Sequence, residues 1–142
     1  MYKYLLLLFM ISDARASDIH PSLKNYVNKF ERELGVTVDF PVRLAKVRNP
    51  QWVGVCITTK DGHKTVHIDP DRTNGLNKTQ MEILVYHELG HCALDLDHYN
   101  KMKGKYPVSI MYSNIFSKKQ ARFWKVHRRF YIEQLRKMWR KK

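Results

Sequence analysis

The segment that most constrains this chain is residues 85–100, VYHELGHCALDLDHYN. His87 and His91 are four positions apart, so on an α-helix they share one face, about 6 Å apart along the axis. Both imidazoles then reach a single cation from the same side. Glu88 is one position on from His87, beside such a cation but angled away from coordinating it. Two histidines do not close a site, so the fold must bring a third ligand to this helix face from elsewhere.

Zinc accepts neutral imidazole nitrogen at about 2.0–2.1 Å, and a three-ligand zinc site keeps one position open for water. A carboxylate placed like Glu88 suits the general base for that water. It takes the proton as hydroxide attacks a carbonyl carbon, then hands it to the leaving amine. One Zn2+ ion is the expected cofactor, Glu88 the expected catalytic residue, and a protein or peptide the expected substrate.

Candidates for the third ligand are Asp95, Asp97, His98, His127 and Glu133. On an unbroken helix His98 would lie about 16 Å along the axis from His87, out of reach of a shared ion. The helix must then end near Leu94 and the chain fold back. Asp95 suits that turn, because Asp tolerates a left-handed backbone. With the break in place, His98 is the preferred ligand. Asp97 stands as the alternative ligand, or as an acceptor behind the site. Glu133 represents a different plan, in which a glutamate from a later helix closes the site. An ion pair with Arg136 or Lys137 explains Glu133 equally simply.

Residues 87–98, HELGHCALDLDH, together with Ser109-Ile110-Met111-Tyr112, resemble the metzincin clan of zinc metallopeptidases. That clan carries HExxHxxGxxH, or Asp in the last place, followed by a Met-containing turn beneath the metal. The resemblance implies a zinc endopeptidase with its site helix on the floor of a cleft. It implies Met111 as an apolar floor rather than a ligand, and Tyr112 as a donor to the developing oxyanion. Two departures stand out. Leu94 or Asp95 occupies the place of the clan's glycine, and His98 follows His87 by eleven residues instead of ten, with Asp97 at the clan's spacing. One inserted residue near Cys92 restores the alignment. Tyr112 also directly follows the methionine, whereas clan members with a tyrosine there have it two residues on.

The rest of the chain reads as one α+β domain over residues 17–142: an N-terminal helix, a short mixed sheet, the site helix, the Met-turn and a long C-terminal helix. Leu23, Tyr26, Val27, Phe30 and Leu34 recur at helical spacing over residues 21–34, with Gly35 as the stop. Residues 36–47 are β-rich, and residues 52–59 and 63–69 suit a hairpin about Asp61-Gly62. A loop follows over 70–77, and Thr79 with Glu82 has the form of a capping box for the site helix. An irregular basic loop is expected over 99–108, then a single helix from Ser117 to about Trp139.

Residues 1–16, with Lys3, an apolar run over 5–11 and Ala14-Arg15-Ala16, read as a secretory signal peptide, giving a secreted or periplasmic protein. Two cysteines are compatible with export and one disulfide. Strand alternation argues against the bond, however. Val53, Val55 and Ile57 make the apolar face of their strand and turn Cys56 the other way, while Cys92 falls on a core stripe with Val85 and Leu89.

The net charge of +13 is unevenly placed: residues 1–98 carry 12 Lys/Arg against 12 Asp/Glu, and residues 99–142 carry 14 against Glu133 alone. A helix docked under the site with a solvated basic face accounts for this, and so does adhesion to an anionic membrane or cell wall. The leading reading is a secreted, monomeric zinc metallopeptidase. Its rivals are an intracellular DNA-associated HExxH protease, a cell-wall peptide hydrolase and a non-catalytic metal-binding module. The apolar N-terminus speaks against a nucleic-acid partner, and the intact Glu88 speaks against a purely structural metal.

Overall fold

The apolar stripe over residues 21–34 builds the first helical unit as expected. A 3-10 turn, Pro21–Leu23, runs into helix α1, Lys24–Leu34, which buries Val27, Phe30 and Leu34. Gly35 ends it at φ 69°, a left-handed value that favours glycine. The computed structural model describes residues 18–142, so the expected signal segment lies outside the described residues.

Three short strands follow: β1 (Val42–Leu44), β2 (Gly54–Thr58) and β3 (Lys64–Ile68). They form a mixed sheet in the order β1-β3-β2, with β1 parallel and β2 antiparallel to β3. The hairpin turns at Gly62, whose φ is 82°. Strand β2 is therefore an edge. Asp69 N–H donates to Val53 O and Thr59 N–H to His63 O. Alternation along an antiparallel ladder then turns the peptide groups of Gly54, Cys56 and Thr58 to the open side. Pro41 stands just ahead of β1, outside the strand.

The expected loop over 70–77 contains a short helix, α2 (Pro70–Thr73), because Asp69 caps it by accepting from the N–H groups of Asp71 and Arg72. The site helix α3 spans Lys78–Leu94. Its capping box is not the expected Thr79–Glu82 pair. Asn77 accepts from Gln80 N–H while Gln80 Oε1 accepts from Asn77 N–H, which places Thr79 already inside the helix. Glu82 is spent elsewhere, on Lys29 and Arg128.

The basic loop after the site helix holds a small hairpin, β4 (Met102–Lys103) with β5 (Tyr106–Pro107), turning at Gly104. The single C-terminal helix expected from the periodicity is two: α4 (Lys118–Val126) and α5 (Arg128–Arg140), separated at His127. No glycine or proline marks this break. Arg128 is drawn inward instead. Its guanidinium donates to Glu33 (2.8 Å), Glu82 (2.9 Å) and the Tyr86 hydroxyl (2.8 Å) and lies over the Trp124 ring. A half-buried ionic contact to two other helices overrides local helical continuity. The core runs through this joint, with Phe30, Tyr86 and Trp124 packed edge to face.

The cysteines correct the reading of β2. Cys56 and Cys92 form a disulfide with Cα atoms 5.5 Å apart. Period-2 alternation identifies the two faces of a strand but not which one meets the core. Here Ile57, assigned to the core, is 40% exposed, and the positions facing α3 are Gly54 and Cys56. Helix α3 lies so close to the strand that only a small residue and a covalent bridge fit between them. The bond closes a separation of 36 residues. Replacing both cysteines by alanine should lower the unfolding free energy by about 3–4 kcal/mol, read as a lower urea midpoint. An unchanged midpoint would mean that the bond does not constrain the folded chain.

Candidate metal centre

Helix α3 is buried on almost every side, between the sheet on one flank and α1 and α4 on others. That explains why its sequence lacks a polar stripe: its buried Gln80 and Glu82 are tied to partners. Gln80, for instance, donates through Nε2 to Phe116 O at 2.9 Å. The helix ends where the third-ligand argument requires. Asp95 takes φ 53° and ψ 40°, and the N–H groups of Asp95 and Leu96 both donate to Gly90 O. The chain reverses, and His98 comes back over the helix face that carries His87 and His91.

The three imidazoles meet through their Nε2 atoms. His87 Nε2 lies 3.1 Å from His91 Nε2 and 3.2 Å from His98 Nε2. The remaining ring nitrogens of the two helix histidines face backbone carbonyls: His87 Nδ1 is 2.8 Å from Ile110 O, and His91 Nδ1 is 2.6 Å from Leu96 O. A carbonyl oxygen only accepts, so each Nδ1 carries the proton and each Nε2 presents a bare lone pair. Burial lowers the basicity of both rings, and that of His87 falls to about 3 even though Ile110 O favours its charged form. Converging, unprotonated lone pairs repel one another unless a cation sits between them. Tetrahedral zinc with bonds of about 2.0–2.1 Å separates its nitrogens by about 3.3–3.4 Å. The donor type, the tautomers and the spacing therefore fit a metal ion, and His87, His91 and His98 are close enough to hold one.

Glu88 sits beside this cluster on the flank facing the sheet. It is buried, and the Cys56 N–H is near enough to favour its charged form. Loss of solvent pushes the carboxyl up to about 8, against the opposing pull of that N–H. Gly54 makes the placement possible. A Cβ there would stand 2.8 Å from Glu88 Oε1 and 2.9 Å from its Cγ. Sequence reasoning passed over Gly54, although a glycine inside a strand is itself a sign of close approach by another group.

Met111 is fully buried beneath the helix. A Cβ at Gly90 would collide with its sulfur, so the glycine within HELGH is what lets the turn pass under the histidines. The turn is tied at several points: Tyr99 N–H donates to Met111 O at 2.8 Å, Met111 N–H to Ser109 Oγ at 3.0 Å, and Ser113 N–H to Asn100 Oδ1 at 2.8 Å. Each tie joins the turn to itself or to the chain just after His98, so His98 and the floor are set together.

The other candidates lie outside the cluster. Asp97 has a 95% exposed side chain whose nearest partner is Lys142, at 3.9 Å. Asp95 serves as the helix cap. Glu133 pairs with Arg136 at 3.3 Å and Arg140 at 3.9 Å on α5. His127 packs its ring on Phe123, 4.1 Å between centroids. Tyr112 lines the cleft, its hydroxyl accepting from Asn114 Nδ2 at 3.3 Å.

The histidines and Glu88 open into a cleft of about 470 Å³. One bank is residues 51–56, including the edge of β2, and the other is residue 110 with 112–116, with Ile83, Leu84 and Phe116 giving an apolar wall. Comparison with protein-family models, with curated proteins and with solved structures finds no match to this chain.

Single alanine substitutions at His87, His91 or His98 should each weaken metal binding by more than the ~10–100-fold typical of a lost outer hydrogen bond. Asp97→Asn should leave metal content unchanged. Metal analysis after dialysis checks both. Full loading of His98→Ala with loss in Asp97→Asn would reverse the ligand assignment.

Proposed function

We propose that this chain is a zinc-dependent peptidase of metzincin-like design, with His87, His91 and His98 as the ligands and Glu88 as the base. The observation that carries the reading is the placement of Glu88. A metal held only for structure needs no carboxylate beside it, yet here Gly54 makes room for one in a buried position at an open cleft. The mixed sheet with an antiparallel edge, the helix broken at Asp95 and the methionine turn support the metzincin-like comparison.

A zinc ion held by His87, His91 and His98 would supply Lewis acidity for the water and for the carbonyl to be attacked. Positive charge nearby also favours the ionised form of Glu88, offsetting the effect of burial. Ionised Glu88 takes a proton from the attacking water on a carboxylate oxygen and returns it to the departing amine nitrogen. The open edge of β2 offers the Gly54 and Thr58 peptide groups to an extended chain, a pairing that suits a peptide better than a compact small molecule. The apolar wall of Ile83, Leu84 and Phe116 suits an apolar side chain next to the cleaved bond. Tyr112 stands on the same bank as a candidate donor to the oxyanion. Export is part of the proposal, and the Cys56–Cys92 bond supports it, since disulfides persist in oxidising compartments.

Glu88→Gln should keep the fold and the metal while hydrolysis falls by ~10²–10⁴-fold, because an amide cannot accept the proton. Gly54→Ala should act in the same direction by displacing the carboxylate while leaving zinc in place. Digestion of a peptide library, paired with metal analysis of the same samples, reads both. Undiminished cleavage by Glu88→Gln would remove Glu88 from the mechanism. Absence of cleavage by zinc-loaded wild type would favour the non-catalytic metal module.

A further inference from the structure

The strongest feature outside the cleft is the elbow between α4 and α5. Val126 and Phe130 flank the His127 break, four positions apart in sequence, and are 75% and 56% exposed. Both large side chains are left in water although the same two helices bury Trp124, Tyr131 and Leu135 completely or nearly so. Cations surround them. Lys119 and Arg122 share the helical stripe of Val126, Lys137 shares that of Phe130, and Lys125 and Arg129 lie alongside; all are exposed. None of these five has an acidic partner within ion-pair distance among the described residues, whereas Arg128, Arg136 and Arg140 do.

We propose that this elbow is a docking surface for anionic phospholipid bilayers, with Val126 and Phe130 entering the headgroup–acyl boundary and the surrounding cations pairing with lipid phosphates. The combination of groups decides the occupant. Cations alone would suit any polyanion, but an exposed valine has neither a π face for a nucleic-acid base nor a donor for a phosphate. A bilayer interface rewards both the apolar pair and the charge around it. The attachment is peripheral: no helix among the described residues is long and apolar enough to cross a membrane. Helix α4 begins directly after residues 113–116 of the cleft bank and is nine residues long. The elbow therefore stands ~13 Å along that helix from the rim of the cleft, which would hold the site close to segments at the membrane surface.

The test is co-sedimentation of the full chain with vesicles of phosphatidylcholine alone and of equal parts phosphatidylcholine and phosphatidylglycerol, at low and high salt. Two variants accompany the wild type: Val126→Ser with Phe130→Ser, and Lys119→Gln with Arg122→Gln, Lys125→Gln and Arg129→Gln. Circular dichroism checks their folding, which substitution of exposed residues should leave intact. Wild type should pellet with anionic vesicles only and be released by salt. The serine pair should weaken that binding by about ten-fold or more, and the glutamine set should abolish it. Absence of pelleting at low salt overturns the proposal. So does equal binding by all three proteins, as insertion of the N-terminal apolar run alone would give. Tighter binding to a short DNA duplex than to vesicles, indifferent to the serine pair, also overturns it and assigns the surface to nucleic acid. Peptide cleavage is not part of the readout, so the elbow and the peptidase reading stand or fall separately.

Discussion

Everything at the centre depends on one backbone event, the left-handed turn at Asp95. A helix continued by one more turn would carry His98 away from His87 and His91 instead of over them. The turn is held by two N–H groups converging on Gly90 O, and it exposes Leu96 O to His91 Nδ1. Thus the same reversal that delivers the third imidazole also orients the second. Aspartate is one of the few residues other than glycine that adopts this conformation at modest cost.

Around that turn, burial and close approach set the chemistry. The site helix is enclosed on most sides, which keeps His87 and His91 neutral and therefore able to ligate, and which would leave Glu88 protonated if no cation stood nearby. Two glycines set distances that no larger residue permits. Gly54 lets β2 come against Glu88, and Gly90 lets the Met111 turn pass beneath the histidines. The disulfide fastens the strand that orients Glu88 to the helix one residue after His91. Farther out, Arg128 ties α1, α3 and the C-terminal helices through Glu33, Glu82 and Tyr86, so the enclosure of the site helix has its own ionic brace.

The parts written in local periodicity were legible beforehand: the first helix, the hairpin, the site helix and its end at Leu94. The cluster of His98 with His87 and His91 was legible too, because the spacing left only one geometry in which His98 could take part. What escaped was decided by tertiary contact. The capping box shifted to Asn77 because Glu82 is needed by Lys29 and Arg128. The C-terminal helix broke at His127 without any breaker residue, where Arg128 turns toward acids more than forty residues away in sequence. The face of β2 was read inverted, since alternation is symmetric and an exposed Ile57 can pass for a buried one. Gly54 was overlooked because its importance lies in what packs against it.

The proposed site requires three imidazoles and no carboxylate around one ion beside Glu88. X-ray absorption at the zinc edge of the metal-loaded protein measures this directly. The predicted spectrum has three imidazole nitrogens at about 2.0–2.1 Å with one further light ligand, and it keeps that form in Asp97→Asn. A shell with only two imidazoles and a carboxylate, or one dominated by water oxygens, would contradict the claim.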